Sequence, residues 1–210
     1  MKTTPYTRYG NALLISIAMI ISAMVLHPFG GSIEYIQKIA TVIIVSHSIA
    51  IIAMPLTVMG FWGLHKKLED ESLLSLVGFI TITIGMFAGI CAAAINGLAL
   101  PLYANGYIGA TPEIIESIRP IFKYGLSLNY AFDFIFIGFC CLAILLWSIS
   151  LIRTKALPVW LGWLGVVLVV LVILIAATGF TLVNLTGFRI FIGGLVAWMI
   201  LVAMLMKRAS

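Results

Sequence analysis

Apolar residues along this chain neither alternate nor keep to one stripe; they come in long, nearly unbroken runs separated by short clusters of Lys, Arg, Glu, Pro and Gly. Five runs hold about 20 apolar residues or more and a sixth is slightly shorter, the length at which a helix rising about 1.5 Å per residue crosses a hydrocarbon core about 30 Å thick. Backbone groups facing lipid must bond within their own segment, so each run is expected to be a helix. The segments are Asn11 to His27, Ile39 to Leu64, Leu73 to Ile95, Gly125 to Leu151, Pro158 to Phe180, and Thr186 to Met206. The expected fold is all-α: a polytopic membrane protein with six transmembrane helices, forming a single transmembrane helical domain over residues 1–210.

The longest connection, Asn96 to Tyr124, carries Pro101, Pro112 and Pro120 and reads as a loop. Within it Thr111-Pro112-Glu113 has the form of an N-cap, a proline at the first helical position and an acidic first turn. A short interfacial helix is expected over Thr111 to Arg119, with Ile114, Ile115, Ile118, Ile121 and Phe122 as an apolar stripe on the membrane surface. It would serve as a linker or as a lid over an outward pocket. Lys2 and Arg8 precede the first apolar run as they would in a signal peptide. However, Met24-Val25-Leu26-His27-Pro28 offers no small-x-small cleavage site, so this run is read as a retained helix.

Composition agrees with the pattern: 63% of residues are hydrophobic and 9% charged, against about 25% charged in a soluble domain. The net charge of +5 is a topology signal. On a six-helix trace Lys2, Arg8, Lys66, Lys67, Arg153, Lys155, Lys207 and Arg208 fall on one side, and only Lys38, Arg119, Lys123 and Arg189 on the other. The positive-inside rule then places both termini in the cytoplasm, N-in and C-in, for a multi-pass membrane protein. Basic loops held to anionic lipid account for the charge, and no nucleic-acid partner is implied. Cys91, Cys140 and Cys141 all fall inside spans and are read as small packing residues rather than disulfide or metal ligands.

Polar side chains within spans are rare and costly, at about 2.5 to 3.5 kcal/mol for Asp or Arg at mid-helix on insertion scales, so each calls for a partner or water. From the segment ends, Asp133 and His47 each come about 12 Å below the outer surface. Arg189 is shallower, Asn129 lies one turn before Asp133, and Asn96 and Asn184 stand near outer helix ends. The expected arrangement is an Asp133–Arg189 ion pair with His47, Asn129 and Tyr130 nearby, either as a packing device or as the polar end of an outward pocket. The candidate ligand-binding residues are thus His47, Asn96, Asn129, Tyr130, Asp133 and Arg189. His47, Asp133, Asn96 and Asn184 also recur in register across two hairpins, as in a parallel internal repeat. No catalytic set or metal site is expected, and no cofactor: haem between helices would call for two histidines at one depth, and neither His27 nor His65 matches His47. HExxH, GxSxG and P-loop motifs are absent from the sequence.

Pro55 is expected to kink the second helix below His47. Gly85, Gly89, Gly162 and Gly165 would allow close helix approach. Trp62, Trp147, Trp160 and Trp163 would form a cytoplasmic aromatic belt. The stretch Leu151-Ile152-Arg153-Thr154-Lys155-Ala156-Leu157-Pro158-Val159-Trp160-Leu161-Gly162-Trp163-Leu164-Gly165 resembles the basic loop and following helix of small bacterial six-helix membrane proteins of the DUF4386 type. The resemblance implies a compact six-helix bundle in a bacterial inner membrane, and it transfers no site residues because that family has no established activity. Three function classes are compatible with the sequence. They are a binder or carrier of a small lipophilic or amphiphilic molecule, a non-catalytic subunit or scaffold with a membrane-protein partner or a second copy, and an intramembrane enzyme using His47 and Asp133. The last lacks a nucleophile, metal set or cofactor motif.

Overall fold

The computed structural model describes residues 5–68 and 72–208; Lys2 lies outside them. The helices are α1 (Pro5–Leu26), α2 (Ile33–Lys67), α3 (Ser72–Ala94), α4 (Leu100–Asn105), α5 (Pro112–Thr154), α6 (Val159–Ala177) and α7 (Leu185–Arg208). A π-helical turn, Ile95–Ala99, joins α3 to α4. With α3 and α4 taken as one continuous run, six helices are long and apolar enough to cross a membrane. They close a ring: α1 packs on α2 and α7, α2 on α3, α3 on α5, and α6 bridges α5 to α7. Gly10 near the start of α1 abuts Lys207 and Ala203 of α7, so the two ends of the chain share one end of the bundle.

Charge and capping set the helix limits. Ser32 caps α2 by accepting the Tyr35 N–H at 3.3 Å, Glu34 occupies its first turn, and His65, Lys66 and Lys67 its last, matching the helix dipole at both ends. Helix α5 begins with Thr111 as N-cap, Pro112 and Glu113, and stops at Lys155, which takes the left-handed conformation at φ 55° and donates its N–H to the Leu151 carbonyl. Helix α2 continues through Pro55.

The half of the bundle near the termini is closed. Phe61, Trp147 and Trp198 are fully buried there, with the Phe61 and Trp147 rings stacked at 4.7 Å. The indole N–H groups of Trp147 and Trp198 donate to the carbonyls of Ser75 and Leu161, each at 3.3 Å, which satisfies the polar atoms that burial would otherwise strand. Trp147 is therefore a core residue and not part of the expected belt, whereas Trp160 and Trp163 are exposed. The expected close approaches occur: Gly85 lies against Phe139 and Gly89 against Met54 and Phe136. Gly162 and Gly165 face Ser148 across α5.

At the other end the structure departs from the expected loop. Only 106–111 separates α4 from α5 as non-helical chain, and Thr111 to Arg119 is not a separate interfacial helix but the cap and first turns of α5. Prolines misled the reading. Pro112 is at a helix start, where its missing N–H costs nothing, and the π-turn lies immediately before Pro101, with the Leu100 N–H reaching back to the Ile95 carbonyl. A helix of normal pitch would drive the Pro101 ring into the carbonyl four residues earlier, that of Gly97. Ile115, Ile118 and Phe122 then turn inward onto Ile33, Leu100 and Ala104 as a second small core. Gln37 ties α2 to α4 by donating to the Ala104 carbonyl at 2.7 Å. At about 1.5 Å per residue α2, α3–α4 and α5 are about 50 to 65 Å long, against roughly 28 to 36 Å for α1, α6 and α7. The three long helices therefore stand together as a knob beyond the ends of the three short ones.

Candidate functional site

Beneath that knob, at the end of the bundle opposite the termini, lies a cavity of about 330 Å³. Its wall is drawn from the end of α1 and the following loop, from α2, α3 with the π-turn, and α5, and from Val183 to Phe188; α6 contributes nothing to it. Five of the six residues expected to form a site, His47, Asn96, Asn129, Tyr130 and Asp133, line this one cavity. Ile43, Ala50, Met54, Phe136 and Phe188 supply much of its apolar surface. Tyr130, at 44% exposure, and Phe29, at 65%, stand at the rim.

Asp133 is buried on α5 and accepts a hydrogen bond from the Asn129 amide, one turn earlier, at 2.8 Å. Among the described residues no basic side chain pairs with it, and no Lys or Arg lines the cavity. The expected ion pair is not formed. Arg189 instead turns to α1, donating from Nη2 to the carbonyls of His27 at 2.9 Å and Met24 at 3.4 Å. The cause lies in α1. That helix ends at Leu26, short of the ends of the long helices, its last carbonyls lack helical partners, and a guanidinium at a helix C-terminus satisfies them and complements the dipole, worth about 0.3 to 2 kcal/mol.

The same short α1 brings His27 against His47, with ring centroids 4.7 Å apart. From His27 the chain climbs to Ile33 largely without helix, about 20 Å if extended, which matches the roughly 21 Å from Ile33 down α2 to His47. The two histidines thus share a level that the sequence did not show, because α2 starts above its apolar run. Each Nδ1 lies against a carbonyl, that of Pro28 at 2.9 Å for His27 and that of Ile43 at 2.8 Å for His47. A carbonyl can only accept, so Nδ1 carries the hydrogen in both rings, and in the neutral ring Nε2 is the acceptor. At that ring separation no macrocycle fits between them. Among the described residues no three His, Cys, Asp or Glu side chains come close enough together to hold a metal ion.

Gly97 explains how His47 is held. A Cβ there would collide with the His47 Cβ and ring, so the π-turn and the glycine together let the backbone of one helix lie flat against the imidazole of another. Asn96, next in chain, is turned to the cavity wall. Asn184 also lines the cavity and is the N-cap of α7, accepting the Gly187 N–H at 2.7 Å. All four residues of the suspected repeat, His47, Asn96, Asp133 and Asn184, therefore converge on one space. His27, Ser46 and Gly97 were missed by sequence reasoning; a glycine directly after Asn96, four residues before a proline, was the available sign of an irregular turn. No family model, curated protein or solved structure matches the chain.

Proposed function

We propose that this is a membrane protein that takes a small amphiphilic molecule from one leaflet into the cavity beneath the knob. The observation that carries the reading is the cavity itself: polar groups from five separate segments converge on a space whose remaining wall is apolar, the usual composition of a ligand pocket. Counted from the basic end of the bundle, His47 precedes Lys67 by twenty residues and Asp133 precedes Thr154 by twenty-one, about 30 Å of helix in each case. That distance is close to a full hydrocarbon thickness, so the polar wall belongs near the far interface rather than deep in lipid. An amphiphile with its head at that interface would meet it directly.

Charge narrows the ligand. Among the described residues, Asp133 is the single acidic side chain lining the cavity and no Lys or Arg lines it, so a head group that is cationic or rich in hydrogen-bond donors complements it. The basic residues at the termini end orient the protein with both termini in the cytoplasm and the cavity on the extracytoplasmic side. A bacterial inner membrane, as the resemblance to DUF4386-type proteins implies, is the setting that fits. The test is mass spectrometry of small molecules released from protein purified without harsh delipidation. Wild type should release a molecule that Ala50→Phe, which fills the cavity wall, does not retain at equal thermal stability. Identical release profiles would remove the reading.

A further inference from the structure

A second feature lies outside the cavity, on the lipid-facing surface between α1 and α7. There a groove of about 440 Å³ is floored by Ile21 and Val25 of α1 and Ile192, Gly193 and Val196 of α7, with Arg189 at one end. We propose that it holds one anionic phospholipid, with the phosphate on Arg189 and an acyl chain laid over Gly193.

Three observations carry this. First, Arg189 is only partly used: Nη2 serves the Met24 and His27 carbonyls, while Nε–H and the Nη1 amino group have no partner among the described residues. No carboxylate among them balances the charge. The guanidinium is also braced against the Phe29 ring at 5.2 Å, so its remaining donors are fixed in place, and a fixed fork of donors suits a phosphate. Second, Arg189 lies in the second turn of α7, beside the last turn of α1. It is level with the ends of the short helices, where headgroups meet hydrocarbon. Third, the groove runs from Arg189 toward mid-membrane along positions 192, 193 and 196 of one helix and 25 and 21 of the other. A Cβ at Gly193 would meet nothing within 4 Å, so the glycine leaves open space in the groove of a kind an alkyl chain can fill. A free phosphate would use the arginine and leave the groove empty. A second copy of the chain docking symmetrically would bring two unneutralised Arg189 side chains together.

Native mass spectrometry of the purified full chain, offered phosphatidylglycerol and phosphatidylcholine with the same acyl chains, tests the assignment. Wild type should retain one phosphatidylglycerol with a preference of about fivefold over phosphatidylcholine, the scale of one basic residue at a membrane surface. Arg189→Lys should keep part of that preference and Arg189→Gln should lose it. Gly193→Leu, which leaves the α1 cap untouched and fills only the open space in the groove, should lower retention of both lipids; it decides the matter if loss of the cap unfolds Arg189→Gln. Equal retention of the two lipids by wild type overturns the proposal, as does a preference that survives Arg189→Gln or retention unchanged in Gly193→Leu. Disulfide cross-linking of Gly193→Cys between copies would also overturn it, by showing a protein partner in the groove. None of these variants alters the cavity wall at Ala50, so the outcome is separate from that of the Ala50→Phe experiment.

Discussion

At Arg189 two kinds of acceptor were available, a carboxylate on α5 and the unpaired carbonyls at the end of α1, and the guanidinium goes to the carbonyls. Asp133 is left with Asn129 alone among the described residues. The double-mutant cycle of Asp133→Asn with Arg189→Gln should therefore be additive in thermal stability, to within about 0.5 kcal/mol. A coupling of several kcal/mol would restore the ion pair. The same scale holds the tightest steric statement in the site, the contact of Gly97 with His47. Gly97→Ala forces a methyl into that ring and should destabilise by about 1 to 3 kcal/mol, as overpacking does, read as a lowered melting temperature in detergent; an unchanged melting temperature would mean that the two helices are free to separate there. Individual residues were partly legible in the sequence. His47, Asp133, Asn129 and Asn96 stood out because polar atoms in apolar runs need a reason. His27 and the true partner of Arg189 did not, because both depend on where a short helix stops relative to the long ones.

Among the elements, hydrophobic run length identified every helix that can cross a membrane but not how far each extends. Residues before Ile39, after Ile95 and before Gly125 are mixed in polarity, and a hydropathy reading ends the helices there. The structure continues all three, because Ile33, Leu100, Ala104, Ile115, Ile118 and Phe122 bury one another, a pattern spread over three segments that no single window displays. Prolines added to the error, since Pro101 and Pro120 read as breakers in a stretch where a π-turn absorbs the first and the helix runs through the second. The knob is consequently a packed unit, and Phe122→Ala should cost about 3 to 5 kcal/mol, the usual range for deleting a buried aromatic ring. A surface-lying helix would lose far less, so a melting temperature shifted by only a degree or so would favour the interfacial arrangement.

Taken whole, the molecule joins a closed aromatic half near its termini to a half with a cavity under the knob, an asymmetry that the proposed function uses to admit a ligand from one side. Sidedness rests on the basic residues. In cysteine-accessibility labelling, residues 66 and 111 should react from opposite faces of the membrane, and labelling of both from outside would contradict the six-span topology. The cavity is probed more directly by one further cysteine. In a background with Cys91, Cys140 and Cys141 replaced, Ala50→Cys places a thiol on the cavity wall and Val45→Cys places one on an exposed face of the same helix. The thiolate, which needs water to form, is the nucleophile that attacks a methanethiosulfonate and expels methanesulfinate, so a small cationic methanethiosulfonate applied from outside should modify position 50 at least about tenfold faster than position 45. Replacing Asp133 by Asn should lower the rate at position 50, since the carboxylate on the same cavity wall attracts the cationic reagent. Equal, slow reaction at positions 50 and 45 would show a closed interior, and the binding cavity would be contradicted.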